Sequence, residues 1–106
     1  MAKYLWQVSY TEEGISGVLK EGGTSRRALV DQLVKEIGGH VEAFYYAFGE
    51  DDVVVIAEVP DHVTAAAIAM TVGASGAARI RTTVLLTPED IDDATQKSIA
   101  YRPPGS

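Results

Sequence analysis

Between Lys3 and Thr87 the chain reads as strand, helix, strand, then strand, helix, strand. Two β-α-β halves in that order restrict the fold to the split β-α-β kind, one sheet with its helices on one face. Residues Lys3 to Tyr10 alternate, with Tyr4, Trp6, Val8 and Tyr10 on one side and Leu5, Gln7 and Ser9 on the other. A period of two is the mark of a strand. Thr11, followed by Glu12 and Glu13, opens a weak helical piece of about Glu12 to Leu19 that contains Gly17 and ends at Gly22-Gly23. A stronger helix follows, with Thr24 or Ser25 as its cap, and Ala28, Leu29, Leu33, Val34 and Ile37 at helical spacing. Arg26, Arg27, Asp31, Lys35 and Glu36 occupy the rest of its circumference, and Gly38-Gly39 ends it.

The second half has the same logic. Val41 to Phe48 is extended and aromatic, Gly49-Glu50-Asp51-Asp52 forms a turn, and Val53 to Val59 is a β-branched run expected to be buried on both faces. Pro60-Asp61 breaks that strand, and Asp61 is the expected N-cap of a helix from His62 to Ala74. Val63, Ala66, Ala67, Met70 and Thr71 share one side of this alanine-rich helix, where small side chains suit close packing on a sheet. Ala78 to Leu86 is the fourth strand, with Ile80, Thr82, Val84 and Leu86 opposite Arg79, Arg81, Thr83 and Leu85. Thr87 caps a last helix with Pro88 at its first position, running to about Ile99 before a loose tail from Arg102 to Ser106. The expectation is an α+β, ferredoxin-like antiparallel sheet of order 4-1-3-2. It forms one domain over residues 1–106, with its core in about 3–92.

Composition excludes several classes of function. The chain has no cysteine, so disulfides, thiolate nucleophiles and thiolate metal sites are ruled out. A net charge of −6 opposes non-specific nucleic-acid binding. No apolar run reaches the ~18 residues of a membrane span. The start, Met1 to Trp6, lacks the long apolar core of a signal peptide, which makes the cytoplasm the expected compartment.

Several short motifs occur in a recognisable order. They are Lys3-Tyr4-Leu5, Tyr10-Thr11-Glu12-Glu13-Gly14, Ile37-Gly38-Gly39, Phe44-Tyr45, Gly49-Glu50-Asp51-Asp52-Val53-Val54, Glu58-Val59-Pro60-Asp61, Arg81-Thr82-Thr83 and Thr87-Pro88-Glu89. Over roughly residues 3 to 92 the chain resembles the GYD family, small proteins of uncharacterised role. The motif that names the family has tyrosine where this chain has Asp51. The resemblance implies a dimeric α/β barrel, in which two sheets pack face to face, and it implies no activity. Alternation supports the dimer independently. A sheet face without helices would carry Leu5, Phe44, Tyr46, Phe48, Val54, Ile56 and Leu85, more apolar surface than a monomer normally shows.

On that same face lie Gln7, Ser9, Glu58, Arg81 and Thr83, the main candidate for a ligand site. Glu58 beside Arg81 would suit ligand orientation or a base of lowered pKa, and an interface ion pair is the plainer reading. His40 and His62 are the only histidines and have no metal-ligand spacing, so they read as surface or capping residues and no metal is expected. Nor does their spacing indicate haem ligation. Glu50-Asp51-Asp52 reads as a solvated hairpin turn. Tyr4, Trp6, Tyr10 and Tyr45 read as core aromatics rather than a flavin site. Gly73-Ala74-Ser75-Gly76 matches no phosphate loop, and no cofactor is expected.

Three readings stand together. The first is a small soluble homodimer or higher oligomer that binds a small organic ligand. The second is a cofactor-independent monooxygenase or isomerase with Glu58 or His62 as base, and the third is a structural or regulatory oligomer without ligand.

Overall fold

A nine-residue strand and a seven-residue strand, alternating in phase, fix the centre of the sheet. A computed structural model describes residues 1–106. The elements are β1 (Ala2–Tyr10), α1 (Glu12–Glu21), α2 (Gly23–Glu36), β2 (His40–Tyr46), β3 (Val53–Val59), α3 (His62–Ala74), β4 (Ala78–Leu85) and α4 (Pro88–Thr95). The four strands form one sheet of order β2-β3-β1-β4, and every neighbouring pair is antiparallel. This is the expected order, in an α+β fold. One face packs against the helices. Its core joins Tyr4, Trp6, Phe44, Val53, Val55, Ala57 and Val59 to Val34 of α2 and Ala65 of α3. The other face has no helix over it and is called the open face below.

Helix starts follow cap chemistry. Thr11, Asp61 and Thr87 each accept the backbone N–H three residues on, and Thr87 with Asp90 closes a reciprocal capping box. The start of α2 differs from expectation. Its N-cap is Gly22 at φ 84, and Thr24 and Ser25 lie inside the first turn. The single residue joining α1 to α2 must take a left-handed bend, which glycine allows without a β-carbon clash. Gly14 has another role: a β-carbon there would collide with the carbonyl of Ala77, so α1 lies close against the entry to β4.

Four further expectations are corrected. A bulge between Val41 and Ala43 shifts the phase of β2. Phe44 and Tyr46 therefore lie on the covered face, and Tyr45, 70% exposed, lies on the open one. β2 also ends at Tyr46, so Phe48 is in the loop and not on a sheet face. β3 is buried on alternate residues only, because no helix covers the side bearing Val54, Ile56 and Glu58. The sheet-facing side of α3 is Ala65, Ile68, Ala69 and Val72, while Val63, Ala66, Ala67, Met70 and Thr71 are exposed. That helix is apolar all round, so periodicity could not pick its inner side.

Finally, α4 stops at Thr95 rather than Ile99, and no residue from Pro88 onward is buried. The radius of gyration is 16.9 Å, against ~13 Å for a compact chain of this length. The C-terminal segment thus extends away from the body.

Candidate functional site

The polar residues of the open face fall into two groups, set by strand register. The first gathers around Asp51. Phe48 sits at φ 54, a strained conformation for a bulky side chain, and turns the loop after β2 back toward β1. Ala47 N–H then donates to Asp52 O at 2.9 Å, and Asp52 N–H donates to Val8 O at 2.8 Å. Tyr10 N–H donates to Asp52 Oδ2 at 2.8 Å. This fold-back lays Asp51 over β1. Gln7 Nε2 donates to Asp51 Oδ2 at 3.3 Å and Ser9 Oγ to Oδ1 at 3.1 Å, while the Arg81 guanidinium pairs with the same carboxylate. Asp51 is 11% exposed and Arg81 60%, so a nearly buried anion is held by a cation that reaches it from solvent.

The second group lies at the other end of the strands. Lys3 Nζ sits 3.0 Å from Glu42 Oε1, and His40 Nδ1 lies 3.7 Å from Glu58 Oε2. The hydrogen bond to Glu42 raises the Lys3 ammonium above the ordinary lysine value. His40, Glu42 and Glu58 bring ligand atoms within 4.8 Å of one another, a donor set that a divalent cation could use. The Lys3 ammonium already neutralises one of those carboxylates; His40 and Glu42 are exposed on the edge strand β2, and Glu58 is half-buried on its neighbour β3.

Glu58 and Arg81 are therefore not neighbours. Glu58 stands opposite Lys3 and Arg81 opposite Gln7, four residues along β1, or about 13 Å. Of the expected site, Gln7, Ser9 and Arg81 come together, Glu58 joins the other group, and Thr83 is exposed opposite Leu5. The turn Glu50-Asp51-Asp52 is not uniformly solvated, since Asp51 and Asp52 are both bonded to β1 side chains or backbone. Asp51 was hidden from the sequence because a strained turn, and no spacing, carries it onto the sheet.

The covered face holds a different feature. Between α2 and α3 an apolar cleft opens onto the sheet, with a cavity of about 110 Å³. Trp6, Val8 and Tyr10 line its floor with Phe44, Val53, Val55, Ala78 and Ile80. Arg26, Val30, Leu33 and Val34 form one wall, and Ile68 and Val72 the other. Trp6 stacks on Tyr4 with ring centroids 6.2 Å apart, and its buried Nε1–H has no hydrogen-bond acceptor. Buried donors are nearly always paired; this one is fully enclosed and so does not face the open space of the cleft. At the Arg26 end, burial pushes the Tyr10 hydroxyl above its ordinary pKa, with Tyr46 and Arg26 beside it. Tyr46 Oη in turn donates to Gly23 O at 3.2 Å. No carboxylate and no imidazole lines the cleft. Glu58 is on the opposite face of the sheet, and His62 is exposed at the start of α3.

The family model of the GYD domain matches residues 4–95 of the chain. Neither the curated proteins nor the solved structures contain a match.

Proposed function

We propose that this chain, which belongs to the GYD domain family, is a soluble cytoplasmic homo-oligomer that binds a small organic ligand between its sheet and its helices. Family membership assigns no activity by itself. The observation that carries the reading is the cleft over Trp6, an apolar floor and walls with Arg26 as the one charged residue lining it.

Assembly is the second half of the reading. Leu5 and Ile56 form an apolar centre on the open face between the Asp51 and Glu58 groups, flanked by Val54 and Tyr45 level with Gln7 and by Leu85 level with Lys3. A second ferredoxin-like sheet laid against it would complete a dimeric α/β barrel and bury ~1,200–2,000 Å². The extended C-terminal segment, with Ile91, Ile99 and Tyr101 exposed, also gains cover only from another molecule.

Native mass spectrometry of the purified protein tests both halves. The expected result is a dimer or larger species carrying extra mass that denaturation releases. A bare 11.3 kDa chain would count against both. A ligand-free structural oligomer is the second reading, favoured by a cavity of about 110 Å³ where drug-sized ligand sites span ~300–1,000 Å³. Acid–base catalysis through Glu58 or His62 has no support in the cleft, which neither residue reaches.

A further inference from the structure

We infer that the cleft between α2 and α3 selects a small apolar carboxylic acid, with its carboxylate at Arg26 and its body over Trp6. The inference rests on the reading that the cleft binds a ligand, and names the ligand's class.

Charge carries the first step. The chain's ion pairs are Lys3–Glu42, Arg27–Asp31, His40–Glu58 and Arg81–Asp51, and Arg26 is in none of them. Arg26 is half-buried and is the one charged residue lining an otherwise apolar cleft. Arg26 also lines a second hollow on its α1 side, with Tyr10, Glu13 and Glu21, and neither carboxylate forms an ion pair with it. A guanidinium held against apolar surface has its field weakly screened and offers two parallel N–H groups, the geometry that a carboxylate fills. The start of α2 adds to this. Arg26 sits in its first turn, which has no acidic residue and no side-chain cap. The partial positive charge of that helix end faces no carboxylate of its own first turn, and Glu21 just precedes it.

Shape carries the second step. Trp6 and Tyr10 face the same side of β1, four residues or about 13 Å apart, and Arg26 stands at the Tyr10 end. A molecule with its head at Arg26 lies over hydrocarbon toward Trp6. A cavity of about 110 Å³ admits one ring or a short branched chain.

Trp6 is the only tryptophan, so its single indole N–H resonance reports the cleft without ambiguity. The test titrates ¹⁵N-labelled full-length protein with phenylacetate and isovalerate, with their neutral amides phenylacetamide and isovaleramide, and with inorganic phosphate. The expected result is a shift of the indole resonance by the acids at roughly tenfold lower concentration than by the amides, with phosphate inert. Arg26→Gln should remove that preference while the amides still bind, and Arg26→Lys should restore part of it. Folding of each variant is read from the rest of the spectrum. Acids and amides of equal affinity would overturn the acid assignment and leave the cleft reading standing. Phosphate binding as well as the acids would overturn the apolar half of the assignment. An indole resonance that no probe moves would overturn both the assignment and the reading beneath it.

Discussion

Along β3, Val53, Val55, Ala57 and Val59 are 4% exposed or less under the helices, while Val54, Ile56 and Glu58, the residues between them, are half-buried on the open face. The same strand thus serves two surfaces of different character. The covered surface is almost entirely apolar and satisfied by the chain's own helices, and its one unpaired polar atom is Trp6 Nε1. The open surface is banded, with the Asp51 group at one end, the Glu58 group at the other and apolar residues between. The difference teaches where to look for each kind of interaction. On the proposed reading a small molecule occupies the covered side, which is apolar and concave. On the same reading a second copy covers the open side, whose charged ends would fix register around an apolar middle.

The largest effect should come from the covered side. Trp6→Ala removes the floor of the cleft and is expected to cost ~3–5 kcal/mol in chemical denaturation. Trp6→Phe keeps most of the packing and deletes the unpaired donor, so it should cost under ~1.5 kcal/mol. Equal losses in the two variants would mean that the indole N–H is bonded and that its loss, rather than the lost packing, sets the cost. Next in size is Asp51→Ala, which strips the acceptor from Gln7, Ser9 and Arg81 and should cost ~1–3 kcal/mol. A double-mutant cycle with Arg81→Ala should show coupling between the two. Additive losses would show that the open-face cluster is not a unit.

Much of this contrast was legible in the sequence. The strand order and the inward set Tyr4, Trp6, Val53, Val55 and Val59 follow from strict alternation, and Asp61 and Thr87 announce their helices by side-chain chemistry. Gln7, Ser9 and Arg81 share the open face because they share a phase on strands without bulges. Where a local feature broke the period, the reading failed. One extra residue at Glu42 carried Phe44 and Tyr46 to the covered face, and it took the register of β2 and β3 to reveal it. On α3, alanines on every side left no polar stripe to mark the solvent. Arg26 was visible only as one charge among five on a helix, since its position over the cleft depends on how α2 packs.

Smaller effects sharpen the comparison at its edges. Asp61 accepts the Thr64 N–H at 2.8 Å, and that backbone bond holds its carboxyl below the ordinary 3.8. A depressed folded pKa means that the cap stabilises fully above the unfolded value and loses its effect as pH falls through the folded one. Asp61→Ala should lower the melting temperature at neutral pH, and the gap to the native protein should close as pH drops below 3.8. A gap independent of pH would remove the carboxylate from the account of α3. Chelator treatment should change the melting temperature least of all, since Lys3 already compensates the charge of the Glu42 carboxylate. A clear drop would show that His40, Glu42 and Glu58 hold an ion that stabilises the fold.

The contrast between the faces turns on what covers the open one, and sedimentation equilibrium at tens of micromolar tests that directly. The account predicts a species of at least twice the 11.3 kDa chain mass. It also predicts that Ile56→Glu, at the apolar centre of that face, returns the protein to a folded monomer. A native chain that sediments at 11.3 kDa across that range would contradict it, because Leu5, Val54, Ile56 and Leu85 would then be stable facing water.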